Sequence, residues 1–208
     1  TGNRRAGCKF FGTGGSGSYA DTNLNAGTTY TYRVRADGTN ASSAWSSEVS
    51  TNTPGGSGAG LTNVYEAELL AISSTSAGDP TENFAEPSAS DGTNSLFTAN
   101  AVGDFITYTV SVPWAGTYNV RGRLNKAANR GRCNLYVDGS AAVQGVERDL
   151  YNGSGYAYEE VDQGNITFTN AGAHAFRFQV SGKHASATAY KLAFDYVKLI
   201  YTDTNAPT

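Results

Sequence analysis

The chain has 208 residues, enough for one large or two small domains, with 25 glycines, 13 tyrosines and no methionine. Its formal charge of -3 and pI near 5.3 exclude the bulk basic character that nucleic-acid binding leaves on a domain. No apolar run is long enough to span a bilayer, so no membrane insertion is expected. Threonine, valine, tyrosine and phenylalanine alternate with polar residues, and helix-period patterns are scarce, which reads as all-β. The sequence opens at Thr1 with neither initiator nor signal peptide, and is expected to be an internal piece of a longer protein.

Residues 1–54 hold a turn and an alternating strand from Leu24 to Ala36, then Trp45-Ser46 and Glu48 to Thr51, ending at Pro54. Leu24, Gly27 and Tyr30, followed by Trp45, Ser46 and Val49, resemble the C-terminal half of a fibronectin type III domain. In that family the tyrosine bonds back to the chain upstream. A whole domain of that type needs about 100 residues, so its opening strands are expected to lie outside this sequence. Half a sandwich leaves an inner face uncovered. It is expected to dock on its neighbour, to pair with another chain in self-association, or to serve as a spacer. Residues 55–60, Gly55-Gly56-Ser57-Gly58-Ala59-Gly60, read as a flexible linker and domain boundary. Residues 61–202 are expected to form the second domain, and the polar, proline-bearing residues 203–208 are expected to lead towards a further module.

That second domain opens on Val64-Tyr65-Glu66-Ala67-Glu68. Side chains alternate along a strand, so Glu66 and Glu68 are predicted to share a face about 7 Å apart and to repel unless a cation lies between them. Near the far end Asp195 sits in the apolar run Leu192-Ala193-Phe194-Asp195-Tyr196-Val197, where an acid is costly unless paired or metal-bound. First and last strands are therefore predicted to lie side by side and share a calcium ion through Glu66, Glu68 and Asp195. The alternative is that these acids are solvated or paired with a lysine such as Lys198.

Between these ends, Ile106, Tyr108, Val110 and Val112 fall on one strand face, and Tyr118, Val120 and Leu124 on another. A short turn, Pro113 to Gly116, joins the two and predicts a hairpin. Asn134 to Val137 with Asp138-Gly139 opens a further strand. Asn165 to Phe168 and Ala171 to Val180 predict a second hairpin. Cys133 alternates with Leu135 and Val137 and reads as a small core residue. A disulfide with Cys8, across the linker, is not expected.

Tyr65-Glu66-Ala67-Glu68, Gly103-Asp104-Phe105-Ile106-Thr107-Tyr108 with its Pro113-to-Tyr118 turn, and Phe194-Asp195-Tyr196-Val197 occur in that order. Together they resemble the carbohydrate-binding modules of families 6 and 35, galactose-binding-like jelly-roll sandwiches. The resemblance implies a structural calcium on Glu66, Glu68 and Asp195. It also implies sugar sites in loops at one end of the sandwich and on a concave sheet face. The loops 100–103 and 125–131 are predicted at one end and Trp114 at the other. Candidate sugar contacts are Tyr190 as a stacking ring, with Asn129, Arg130, Lys126 and His184 as hydrogen-bonding groups. The family pattern places a tryptophan before the last strand, where this chain has only Tyr190.

Arg121, Arg123, Lys126, Arg130 and Arg132 put five basic residues into twelve positions, which suits an acidic polysaccharide or a plain solvated face. The acids Glu147, Asp149, Glu159, Glu160 and Asp162 lie in tyrosine-rich sequence without a glycosidase motif, so a non-catalytic role is expected. Two functions follow. One is a polysaccharide-targeting module of a secreted protein. The other is a structural or adhesive module of a surface protein or extracellular filament, with strand completion between chains.

Overall fold

The computed structural model describes Asp21 and residues 28–39, 41–52 and 59–203. The chain divides into two compact units, the second running from Ala59 to Asp203. In the first, β1 (Thr29–Tyr32) pairs antiparallel with β2 (Val49–Asn52). Tyr30 is buried, and the Arg33 and Arg35 guanidinium groups each lie 4.7 Å from the Trp45 ring. Leu24, Gly27 and Cys8 lie outside the described residues.

The second unit is a β-sandwich. One sheet has the order β10-β9-β12-β7-β4, from Gln144–Asp149, Gly131–Val137, Gly172–Lys183, Phe105–Val112 and Ala71–Thr75. The other has the order β11-β8-β13-β6-β5, from Ala157–Phe168, Gly116–Lys126, Leu192–Tyr201, Thr93–Phe97 and Thr81–Ala85. The opening strand β3 (Thr62–Glu66) pairs antiparallel with β13, Glu66 opposite Tyr196. First and last strands of the domain thus lie side by side, as their sequences predict.

Period-2 alternation decides which residues face inward. Ile106, Tyr108, Val110 and Val112 on β7 are buried, as are Tyr118, Val120 and Leu124 on β8, Cys133, Leu135 and Val137 on β9, and Phe176, Phe178 and Val180 on β12. The sheets meet through aromatic contacts, with the Phe194 ring 4.5 Å from Phe178 and 5.5 Å from Tyr108. Cys133 is a free thiol in this core, and burial pushes its pKa up to about 12, so it is inert.

Neither predicted hairpin forms. β7 pairs with β12 and β4, while β8 pairs with β11 and β13; the turn 113–115 therefore crosses from one sheet to the other. The turn 169–171 does the same between β11 and β12. The Tyr118 hydroxyl donates to the Trp114 carbonyl across the first of these arches (2.9 Å). A true hairpin joins β9 and β10, and there Asp138 and Gly139 both take positive φ (51° and 72°).

Candidate functional site

Glu66 ends β3, and the strand does not continue to Glu68. Ala67–Leu69 form one 3-10 turn, with Ala67 buried beneath it. Glu66 and Glu68 consequently meet around a turn rather than along one strand face, which corrects the alternation reading. Asp91, in the 86–92 loop before β6, joins them, with one carboxylate oxygen of each lying within 4.8 Å of the others.

Asp195 stands one hydroxyl away. Ser90 Oγ lies between Glu66 Oε2 (2.5 Å) and Asp195 Oδ1 (2.8 Å), and the Ser90 amide donates to the same Asp195 oxygen (2.9 Å). The Asp195 side chain is fully buried and ion-paired with Arg123, whose other terminal nitrogen donates to the Ser88 carbonyl (3.2 Å). The carboxylates that converge are thus Glu66, Glu68 and Asp91, while Asp195 holds the loop carrying Asp91 through Ser90. Lys198 pairs with Glu160 and leaves these acids alone.

Both carboxylate oxygens of Glu68 are buried and accept no hydrogen bond. Burial first, and then the Asp91 and Glu66 carboxylates, push its pKa up to about 7. Hard oxygen donors that crowd one another, with those of Glu68 left without a donor, suit calcium, which takes carboxylates at flexible geometry.

At one end of the sandwich two shallow pockets adjoin. The first, about 340 Å³, is lined by Ala127, Ala128, Asn129, Gly155, Tyr156 and Thr188. The second, about 240 Å³, is lined by Glu82, Phe84, Leu96, Asn129, Arg130, Tyr156 and Lys191. Asn129 and Tyr156 belong to both. The Tyr156 ring is 56 % exposed and stands 6.0 Å from that of Phe84, at 41°. Arg130 lies 5.8 Å from the Tyr156 ring and 5.9 Å from that of Phe84. Tight backbone packing holds this corner. A Cβ on Gly131 would come within 2.9 Å of the Tyr190 carbonyl, so only glycine lets the 127–130 loop seat against the last loop.

The sequence-predicted sugar residues divide here. Asn129 and Arg130 line the pockets. Lys126 pairs with Glu159 (3.0 Å). His184 stacks on Tyr151 with ring centroids 4.3 Å apart and 5° between planes. Tyr190 packs against the core, with the Lys183 ammonium 4.8 Å from its ring. Phe84 and Tyr156, the two rings that do line the pocket, were not among the predicted contacts. The tyrosine density of 151–158 was the one signal for the second.

On the outer face of the six-stranded sheet, Glu160 accepts from the Tyr196 hydroxyl (2.5 Å), the Lys198 ammonium and Arg121 (3.1 Å). The Lys198 bond leads in holding its pKa down at about 2, with Tyr196 next. A depressed folded-state value means that the network stabilises above the unfolded value near 4.5 and is lost as pH falls from there towards 2. Between pH 5 and 2.5 the Tm of Glu160→Gln is expected to fall less than that of the parent. Parallel curves from thermal melts would rule the contribution out.

The second unit is thus a two-sheet jelly roll with shallow pockets at one end and an acid cluster where its first and last strands meet. The sequence profile of the carbohydrate binding module (family 6) matches residues 71–200, and the chain belongs to that family. A Paenibacillus xanthan lyase structure is similar, at 32 % identity and a TM-score of 0.63, over 74 % of this chain. This chain spans only 15 % of that lyase. A family 35 carbohydrate binding module from Clostridium thermocellum matches at 23 % identity and a TM-score of 0.45, over 66 % of this chain and 98 % of its own. No curated protein is significantly similar in sequence.

Proposed function

We propose that residues 59–203 are a non-catalytic module that holds an extracellular protein on a polysaccharide, with the sugar seated at the loop end and calcium bound by Glu66, Glu68 and Asp91. The observation that carries the sugar site is the exposed Tyr156 ring, packed beside Phe84 at the edge of a pocket that Asn129 and Arg130 also line. An apolar platform edged by a few fixed polar groups is what a pyranose, apolar on its C–H face and hydroxylated at its rim, requires.

Four of the five candidate catalytic acids are held in ion pairs, Glu147 being in none among the described residues. Asp149 is paired with Arg132, Glu159 with Lys126, Glu160 with Lys198 and Arg121, and Asp162 with Arg121. A general acid needs a raised pKa, and Glu160 has the opposite. The structural or adhesive alternative gains nothing from the described residues.

Tyr156→Ala is expected to weaken glycan binding by about 2 kcal/mol, on the order of 30-fold, because a stacked ring is lost. The Tm should stay unchanged because the ring is exposed. Isothermal titration after a glycan-array screen that includes xanthan checks this. Full affinity in the alanine variant would move the sugar site elsewhere.

A further inference from the structure

The basic stretch 121–132 is largely neutralised by the fold. Arg121 pairs with Glu160 (3.1 Å) and Asp162 (3.5 Å), Arg123 with Asp195, Lys126 with Glu159 (3.0 Å) and Arg132 with Asp149 (3.0 Å). Arg130 is the exception, and it is also the most deeply buried of the five, at 2 % exposure. Its Nε and one terminal nitrogen donate to Asn125 Oδ1 (3.2 and 2.8 Å), and the other terminal nitrogen donates to Asn129 Oδ1 (2.7 Å). These are neutral amide oxygens. No carboxylate lies within 4 Å of the guanidinium among the described residues.

A buried cation without a counter-ion is costly, and arginine cannot shed its charge to escape. The Tyr156 hydroxyl is a further neutral partner of Arg130, and together these bonds leave part of its five-donor fork unused. The pocket it lines holds a second cation, Lys191, which is also without an ion-pair partner among the described residues. Against these stands one acid, Glu82, exposed and likewise outside any ion pair. The pocket is therefore net positive, with two cations against one acid.

We infer that the pocket lined by Phe84, Tyr156, Arg130 and Lys191 selects a sugar residue bearing a carboxylate, a uronate, with the anion placed between Arg130 and Lys191. The inference rests on the loop end being the sugar site and adds the class of sugar. Guanidinium and carboxylate are both planar and match edge to edge, which neutral hydroxyls do not. Stacking on Tyr156 serves the ring of any pyranose; the charge decides which one is retained.

The test uses the full chain and oligosaccharides of galacturonate, of mannuronate and of glucuronate-substituted xylan. Each is titrated beside its carboxyl-reduced form, which has the same linkages and no charge, and a sulfated galactan is the third arm. At least one uronate ligand is expected to bind, and its reduction to cost tenfold or more. Lys191→Gln should weaken that ligand several-fold and the reduced form distinctly less. Glu82→Gln should strengthen it, by removing the one like charge. Because both residues sit at the pocket rim, neither variant depends on replacing the buried Arg130. Equal binding of an acid and its reduced form overturns the inference and leaves the sugar site standing. Binding of the sulfated galactan alone overturns the carboxylate assignment. Absence of binding to every glycan, charged or neutral, on this panel and on the array removes both readings.

Discussion

Replacing Arg123 with methionine is expected to destabilise the β-sandwich by about 3–5 kcal/mol, because it leaves the Asp195 carboxylate buried without its counter-ion. For a domain of this size that is a fall of roughly 10 °C in Tm. Asp195 would keep only the amide and shared hydroxyl of Ser90 as donors. Arg123 would also leave the Ser88 carbonyl and its position 4.3 Å from the Tyr158 ring. The double variant Arg123→Met/Asp195→Leu removes both charges and is expected to recover much of the loss, since a buried pair is favourable chiefly relative to its own half. Thermal melts of the two variants side by side give the answer. A single variant melting within a degree or two of the parent would mean that Asp195 is solvated or otherwise balanced.

The second large effect concerns the neighbouring acids. Adding a chelator to calcium-saturated protein is expected to lower the Tm by about 10 °C, since a ligand at a thousand times its Kd stabilises by about 4 kcal/mol. Glu68→Gln should abolish that response. It should also cross over. In calcium the variant is less stable than the parent, because a ligand is lost. In chelator it is more stable, because two buried oxygens that accept no bond and face Asp91 and Glu66 have become a neutral amide. A structural carboxylate with no metal would show no such crossing. Asp91→Asn is expected to behave similarly, and Asp195→Asn to act through the Arg123 pair instead. An unchanged melt in chelator would remove calcium from the description.

These two experiments touch one small region, and its logic is that of a closed domain. β13 is paired to β3 on one side and to β8 on the other. Asp195 in β13 reaches Arg123 on β8 and Ser90 in the loop before β6. Glu66 and Glu68, at the end of β3, reach the same loop through Ser90 and Asp91. Chain ends, a central strand and one loop are thereby tied by charges that burial makes strong and that are costly when unmatched.

Alternation alone settled much of this protein. Which side of β7, β8 and β9 meets the core followed from period 2, because every strand of a sandwich buries one face whichever sheet it joins. The proximity of Glu66 and Asp195 was legible too, since a buried acid and a charged pair both demand partners. Sheet membership was not legible. A turn such as 113–115 reads the same whether it folds a strand back beside its neighbour or carries it across the core, as inward alternation continues either way. Only the hydrogen-bond ladder, a non-local property, separates the two; the Asp138-Gly139 turn, with two positive φ angles, was the local exception.

The sites divide on the same line. Asn129 and Arg130 could be named from their loop, but Phe84 and Tyr156 come from β5 and the loop before β11, far apart in the chain, and no local pattern pairs them. Asp91 was missed because a turn acid looks like any other until Ser90 brings it to Glu66. Five basic residues in twelve positions looked like one charged surface, and tertiary packing gave four of them carboxylates and left Arg130 without one. Sequence determines which groups are available and which face they take. Only the fold decides which charges meet, because Coulomb energy depends on distances and burial that no spacing along the chain contains.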